Sequence, residues 1–187
     1  MQALLADRFN LIVHYETRQA PVFALMLVKP GQTGPRLAPH PASDTCTAGP
    51  TDEGADGSAP DAPAPRSVPR SVLGELPNVC GVIAHLPTGA TGHIRFGGRG
   101  VTLSLLASSL PTMTGMATLP RPVIDETGLS GTSDFTLDWV PEFNAPPDAS
   151  GPNFRESLKE QLGLKLEPRQ GPVGILVIDR VERPSAN

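Results

Sequence analysis

Two stretches far apart in this chain carry the same phrase. ETRQAPVFALMLV begins at Glu16 and EPRQGPVGILVID begins at Glu167, so that Glu16, Arg18, Gln19, Pro21, Val22 and Leu25 recur as Glu167, Arg169, Gln170, Pro172, Val173 and Leu176. A phrase that returns with its spacing intact requires equivalent local structure in both places, and so constrains architecture more than composition does. In the first copy, Leu11, Val13 and Tyr15 alternate with Ile12, His14 and Glu16, the period of two that marks a half-buried strand. Ala20-Pro21 reads as an interruption, and VFALMLV after it is a continuous apolar run expected of a strand covered on both faces. A short amphipathic helix over residues 2–8, with Leu4 and Leu5 turned inward, precedes both strands.

The second copy has the same setting. Phe154, Leu158 and Leu162 lie on one face of the helix FRESLKEQLGL, Gly163 stands where that helix should stop, and KLEPRQ then leads through a Pro/Gly corner into ILVI. Between the copies, His93 to Phe96 reads as a short strand and GGRG as a turn; Thr102 caps a helix with Leu103, Leu106 and Leu110 inward. Pro111 and Gly115 mark its end, and Val123-Ile124 and Phe135, Leu137 and Trp139 belong to two further strands. The expected fold is therefore α+β: three helix–strand–strand units forming an antiparallel sheet packed by helices on one side. The repeated Glu-x-Arg-Gln-x-Pro-Val marks the corner of a hairpin in the outer two units.

Residues 30–92 differ in kind. PGQTGPRLAPHPASD and GPTDEGADGSAPDAPAPRSVP carry Pro, Gly, Ala, Asp and Ser without apolar periodicity, and the chain holds 22 prolines in 187 residues. Such a segment buries too little surface to offset chain entropy, so it reads as a long disordered insertion, with Val79, Val82, Ile83 and Leu86 returning to the fold. The expected organisation is a first unit at 1–29, the insertion at 30–92, and the second and third units at 93–187. A net charge of −4 and only 4% aromatic residues argue against nucleic-acid binding. No apolar run is long enough to span a membrane, and MQALLADRFNL lacks the features of a signal peptide. An uncapped start in mid-helix suggests a fragment lacking an upstream region.

Together LLADRFNLIVHYETRQAPVFALMLVK, GRGVTLSLLASSL, RPVIDETGLSGTSDFTLDWVPE and LKEQLGLKLEPRQGPVGILVIDRVERPSAN resemble a soil-associated bacterial protein family of unknown function. The resemblance implies an exported, periplasmic or secreted protein, in some members attached to membrane metallopeptidase sensors, with no assigned catalytic residues. In that context Cys46 and Cys80, which flank the low-complexity segment, are expected to form a disulfide at its base; two unrelated buried thiols are the alternative. A zinc site is not expected, because His40 and His85 are near in sequence but no CxxC or HxxxH spacing exists.

Two functional readings follow. The first is a non-enzymatic interaction or sensor-associated module that meets an unknown protein partner through an exposed strand edge, with no cofactor. The second is a hydrolase-type enzyme whose acid and base come from Asp125, Asp134 and Asp138, the densest carboxylate group in the chain. Against it, Asp125 precedes a turn where a carboxylate binds backbone N–H groups, and Asp138 alternates with Leu137 and Trp139 and should face water. FGGRGVT lacks the lysine of a phosphate loop, and no HExxH or Gly-x-Ser-x-Gly motif is present. His14 reads as a solvated strand residue.

Overall fold

The computed structural model describes residues 9–43, 46–48, 76–114, 119–143 and 145–183. The helix expected over residues 2–8 and the central part of the low-complexity segment, 49–75, lie outside the described residues. Nine strands and two helices follow in chain order among those described: β1 (Ile12–Leu27), β2 (Leu37–Pro39), β3 (Thr47–Ala48), β4 (Val79–Cys80), β5 (Val82–His85), β6 (Ile94–Val101), α1 (Leu103–Thr114), β7 (Val123–Asp125), β8 (Ser133–Trp139), α2 (Phe154–Leu162) and β9 (Leu164–Arg180). The chain divides into two compact units, one of residues 23–167 and one of residues 1–22 with 168–187.

The larger unit is built on a mixed sheet with strand order β2-β8-β6-β4-β3, and with β5 also paired to β6. β8 is antiparallel to β2 and β6, whereas β4 runs parallel to both β3 and β6. Phe135, Leu137 and Trp139 alternate along β8 and are all buried, as the period of two requires. They meet Leu103, Leu106, Ala107 and Leu110 of α1 and Phe154, Leu158 and Leu162 of α2 in one apolar core. Phe96 stacks on Trp139 with ring centroids 5.8 Å apart, and Trp139 meets Phe154 edge-on at 5.4 Å.

Both helices follow their local signals. Thr102 Oγ1 accepts the N–H of Leu105 and opens α1. Asn153 and Glu156 exchange side-chain and backbone bonds in a capping box, and Gly163 closes α2 with a φ of 70°. Pro111 does not end α1, which continues to Thr114; it removes one backbone N–H from the last turns without breaking them.

Three expectations change. The described part of 30–92 carries β2 to β5, with Leu37 and Leu86 fully buried, which is more regular structure than its composition predicts. The sheet is mixed and not purely antiparallel. The repeated phrase marks no hairpin corner: β1 and β9 are each a single strand through it, and β7 and β8, expected as a pair, belong to different sheets.

The smaller unit is formed by the outer halves of β1 and β9, which are neighbours in a sheet of order β7-β1-β9. Glu182 N–H donates to the carbonyl of Phe9, and His14 Nδ1 lies 2.8 Å from Asp179 Oδ2. The strands therefore run in opposite directions, and by alternation Tyr15, next to His14, shares the other face of the pair with Ile178, next to Asp179. The two copies of the phrase thus lie on neighbouring strands that run in opposite directions.

Candidate functional site

In the larger unit, three strands converge on one polar cluster. β2 pairs with β8 in a register that sets Ala38 opposite Asp134, so His40, two residues on, is the diagonal neighbour of Asp134 on the same face. The backbone N–H of His40 donates to the carbonyl of Thr132 and fixes the approach. His40 Nδ1 lies 2.8 Å from Asp134 Oδ1, and the same oxygen accepts the N–H of Gly100 at 2.7 Å. With Asp134 accepting, the proton belongs on Nδ1, which leaves a lone pair on Nε2. The His40 side chain is 11% exposed.

What faces that lone pair is sulfur. Cys46 and Cys80 form a disulfide, with Cα atoms 5.4 Å apart, and Cys46 Sγ is 3.6 Å from His40 Nε2. The bridge sits where β3 and β4 run side by side, with Ala48 opposite Cys80 and Cys80 opposite Arg99. Gly100 forms the floor. β6 carries one residue more than β8 between the pairs Gly98–Phe135 and Val101–Ser133, and Gly100 in this bulge has a φ of 60°. A Cβ there would stand 3.3 Å from Cys80 Cβ and 3.6 Å from His40 Cδ2. The stretch GGRG, expected as a turn, is instead a bulged strand that seats a disulfide against an imidazole. His40 Nε2 and the two sulfurs lie within 4.8 Å of one another, an imidazole and two cysteine sulfurs that are tied up here as a disulfide.

A second histidine–carboxylate pair lies on β8. Arg95 is opposite Asp138, so His93 is again the diagonal neighbour, with Nδ1 2.5 Å from Asp138 Oδ1 and Nε2 3.0 Å from the Ser150 carbonyl. Both ring nitrogens face acceptors, which favours the doubly protonated ring. The hydrogen bond to Asp138 is the main cause that raises the His93 pKa above its usual value, with burial opposing and the Ser150 carbonyl assisting. Gln161 flanks this pair: its Oε1 accepts the Asp138 N–H at 3.0 Å and its Nε2 donates to the Asp138 carbonyl at 2.6 Å. A side-chain amide thereby satisfies the stretch of β8 beyond the reach of β2.

The three sequence-nominated carboxylates consequently serve three separate partners. Asp125 binds the N–H and hydroxyl of Thr127 in the turn after β7, as expected. Asp134 holds His40, and Asp138 holds His93 and does not simply face water. A small groove of about 210 Å³ is lined by Ile94, Thr114, Trp139, Pro141, Glu142, Phe143 and Phe154, and none of the three aspartates lines it. His85 packs edge-on against Phe96. Sequence reasoning missed His40 and His93 as partners, because the diagonal relation exists only once strand register is known.

A family model described as "Protein of unknown function (DUF3738)" matches residues 1–181. The chain belongs to this family. The comparison with curated proteins and that with solved structures found no match to this chain. Membership spans both DUF3738 copies of the repeated phrase and the whole disulfide cluster, so these are features of a family chain whose activity its name leaves open. No described helix is long and apolar enough to cross a membrane.

Proposed function

We propose that this DUF3738 chain is an extracytoplasmic, non-enzymatic interaction module that receives a protein partner along the β1–β9 ribbon. The observation that carries the reading is an exposed apolar face on paired strands. Tyr15 is 72% exposed, Leu176 51% and Ile178 60%, with Ile12 and Val181 also open. In β9, Leu176 and Ile178 share one face by alternation, and because His14 meets Asp179 on the opposite face, Tyr15 on β1 lies on the same face as they do. Among the described residues β9 is the end strand of its sheet, so its outer edge offers backbone groups that a partner's strand can complete. Exposed apolar side chains grouped in this way usually mark a protein-binding surface.

Export to an oxidising compartment is supported by the Cys46–Cys80 disulfide, a bond that persists outside reducing cytosol. The sensor-associated role rests on the family resemblance alone. A hydrolase-type site across Asp125, Asp134 and Asp138 is the weaker reading, since each carboxylate is engaged elsewhere and none lines the groove.

The test is photo-crosslinking of exported protein with a benzophenone amino acid in place of Tyr15. Discrete adducts are expected, together with an intact mass two protons below that of the dithiol. Substituting Leu176→Lys and Ile178→Lys should abolish the adducts without lowering the melting midpoint. Adducts that persist in the lysine variant, or none from the parent, would sink the proposal.

A further inference from the structure

We infer that the Cys46–Cys80 bridge masks a binding site for a thiophilic divalent cation of zinc type, formed by Cys46, Cys80 and His40 when the disulfide is reduced.

The geometry makes the case at each donor. A tetrahedral ion with metal–sulfur bonds of about 2.3 Å and metal–nitrogen bonds of about 2.0–2.1 Å sets its N and S ligands about 3.6 Å apart. Cys46 Sγ and His40 Nε2 already stand at 3.6 Å. Two thiolates on such an ion lie about 3.8 Å apart, a small outward rotation from the bridged state for cysteines whose Cα atoms are 5.4 Å apart. His40 is held in the tautomer a ligand needs, with Nδ1–H on Asp134 and Nε2 toward the sulfurs; Asp134 is fixed in turn by the Gly100 N–H. This histidine–carboxylate arrangement is the usual outer support of a metal-ligating imidazole. Gly100 leaves room beside the bridge, where a Cβ would press on Cys80 Cβ at 3.3 Å. Three protein ligands leave one position open to water or a further ligand.

The chemistry balances with one co-reactant, a dithiol reductant. Two electrons and two protons pass from its thiols to the Cys46–Cys80 bond, and the reductant leaves as a disulfide. Metal binding then releases the two cysteine protons to solvent, and two thiolates with one neutral imidazole offset the dipositive charge. Disulfide and metal are mutually exclusive occupants of the same atoms, so the redox state decides metal affinity.

The test uses the full chain with cobalt(II) as the spectroscopic probe and zinc(II) as competitor. Reduction is by an immobilised phosphine, which ends as its oxide. Reduced protein should take up one equivalent of cobalt with thiolate-to-metal absorption and the visible bands of a tetrahedral ion, and zinc should displace it. Oxidised protein should show neither. Asp134→Asn should keep the spectrum and weaken affinity about 10–100-fold, and His40→Asn should weaken it further and change the visible bands. If reduction alone lowers helical and strand circular dichroism, zinc should restore it. Absence of stoichiometric cobalt binding would overturn the proposal. So would His40→Asn and Asp134→Asn variants that bind as tightly as the parent, or a reduced fold that zinc fails to restore.

Discussion

Removing the disulfide should weaken the fold by an amount the structure bounds. The perturbation is the double substitution Cys46→Ala and Cys80→Ala, which leaves no unpaired thiol to cross-link. The bridged residues are 34 positions apart. In the chain-entropy model, closing a loop of that length removes about 13 cal/mol/K from the unfolded ensemble, or about 4 kcal/mol at 25 °C. The folded state returns part of this when unbridged, because β3 and β4 are two residues each and cannot hold the Cys46 arm as firmly alone. The expected loss is therefore about 2–4 kcal/mol, which for a domain of this size lowers the melting midpoint by about 4–16 °C.

Calorimetry of the double variant beside oxidised and reduced parent measures this directly. Reductant should lower the parent's midpoint by a similar amount and leave the variant unmoved. Amide exchange should quicken at Thr47, Ala48, Val79 and Cys80, while the Phe96–Leu137 ladder keeps its protection. A variant melting within about 2 °C of oxidised parent would refute the reasoning, because the bridge would then constrain nothing in the unfolded chain that the fold depends on.

Other consequences follow from single contacts. Ser157 is fully buried in α2 and its hydroxyl has no hydrogen-bond partner among the described residues, so Ser157→Ala should stabilise by about 0.5–1 kcal/mol in urea unfolding. Gln161→Leu should cost about 1–3 kcal/mol by the same assay, since it strips the Asp138 backbone of donor and acceptor together. The raised His93 pKa makes its contribution fully present below the unfolded value of 6.5 and lost as pH climbs through the higher folded value. Urea midpoints should therefore fall from pH 6 toward pH 8, and His93→Asn should flatten that slope. His14, raised chiefly by its hydrogen bond to Asp179, should titrate above its usual range by NMR and return toward it in Asp179→Asn.

Much of the fold was legible because its signals are local. Alternation along FTLDW, the cap at Thr102 and the stop at Gly163 each depend on residues within one or two turns, and all three hold. The prolines misled for a physical reason. Pro21 and Pro172 read as strand ends because proline cannot donate to a ladder. β9 is an end strand, however, and β7 reaches only Phe23 to Leu25 of β1, so positions whose N–H faces away from the ladder exist in both strands. Similarly, composition judged residues 30–92 by their own apolar content. Leu37, Ile83 and Leu86 pack with apolar residues supplied by other segments, which a window confined to that stretch cannot see.

The site shows the same division between face and partner. Alternation places Asp134 and Asp138 on the face of β8 opposite Phe135, Leu137 and Trp139, and a carboxylate on that face defaults to solvent. Which group answers it depends on register, and register follows from distant events: the bulge at Gly100 for β6 and the pairing of Pro39 with Ser133 for β2. Once both are set, one diagonal rule delivers two results, His40 to Asp134 and His93 to Asp138. Their chemical fates then diverge through the second ring nitrogen. For His93 it meets a carbonyl, which stabilises the cation and makes the pair a pH-dependent clasp; for His40 it meets the Cys46 sulfur, the contact on which the proposed metal site rests.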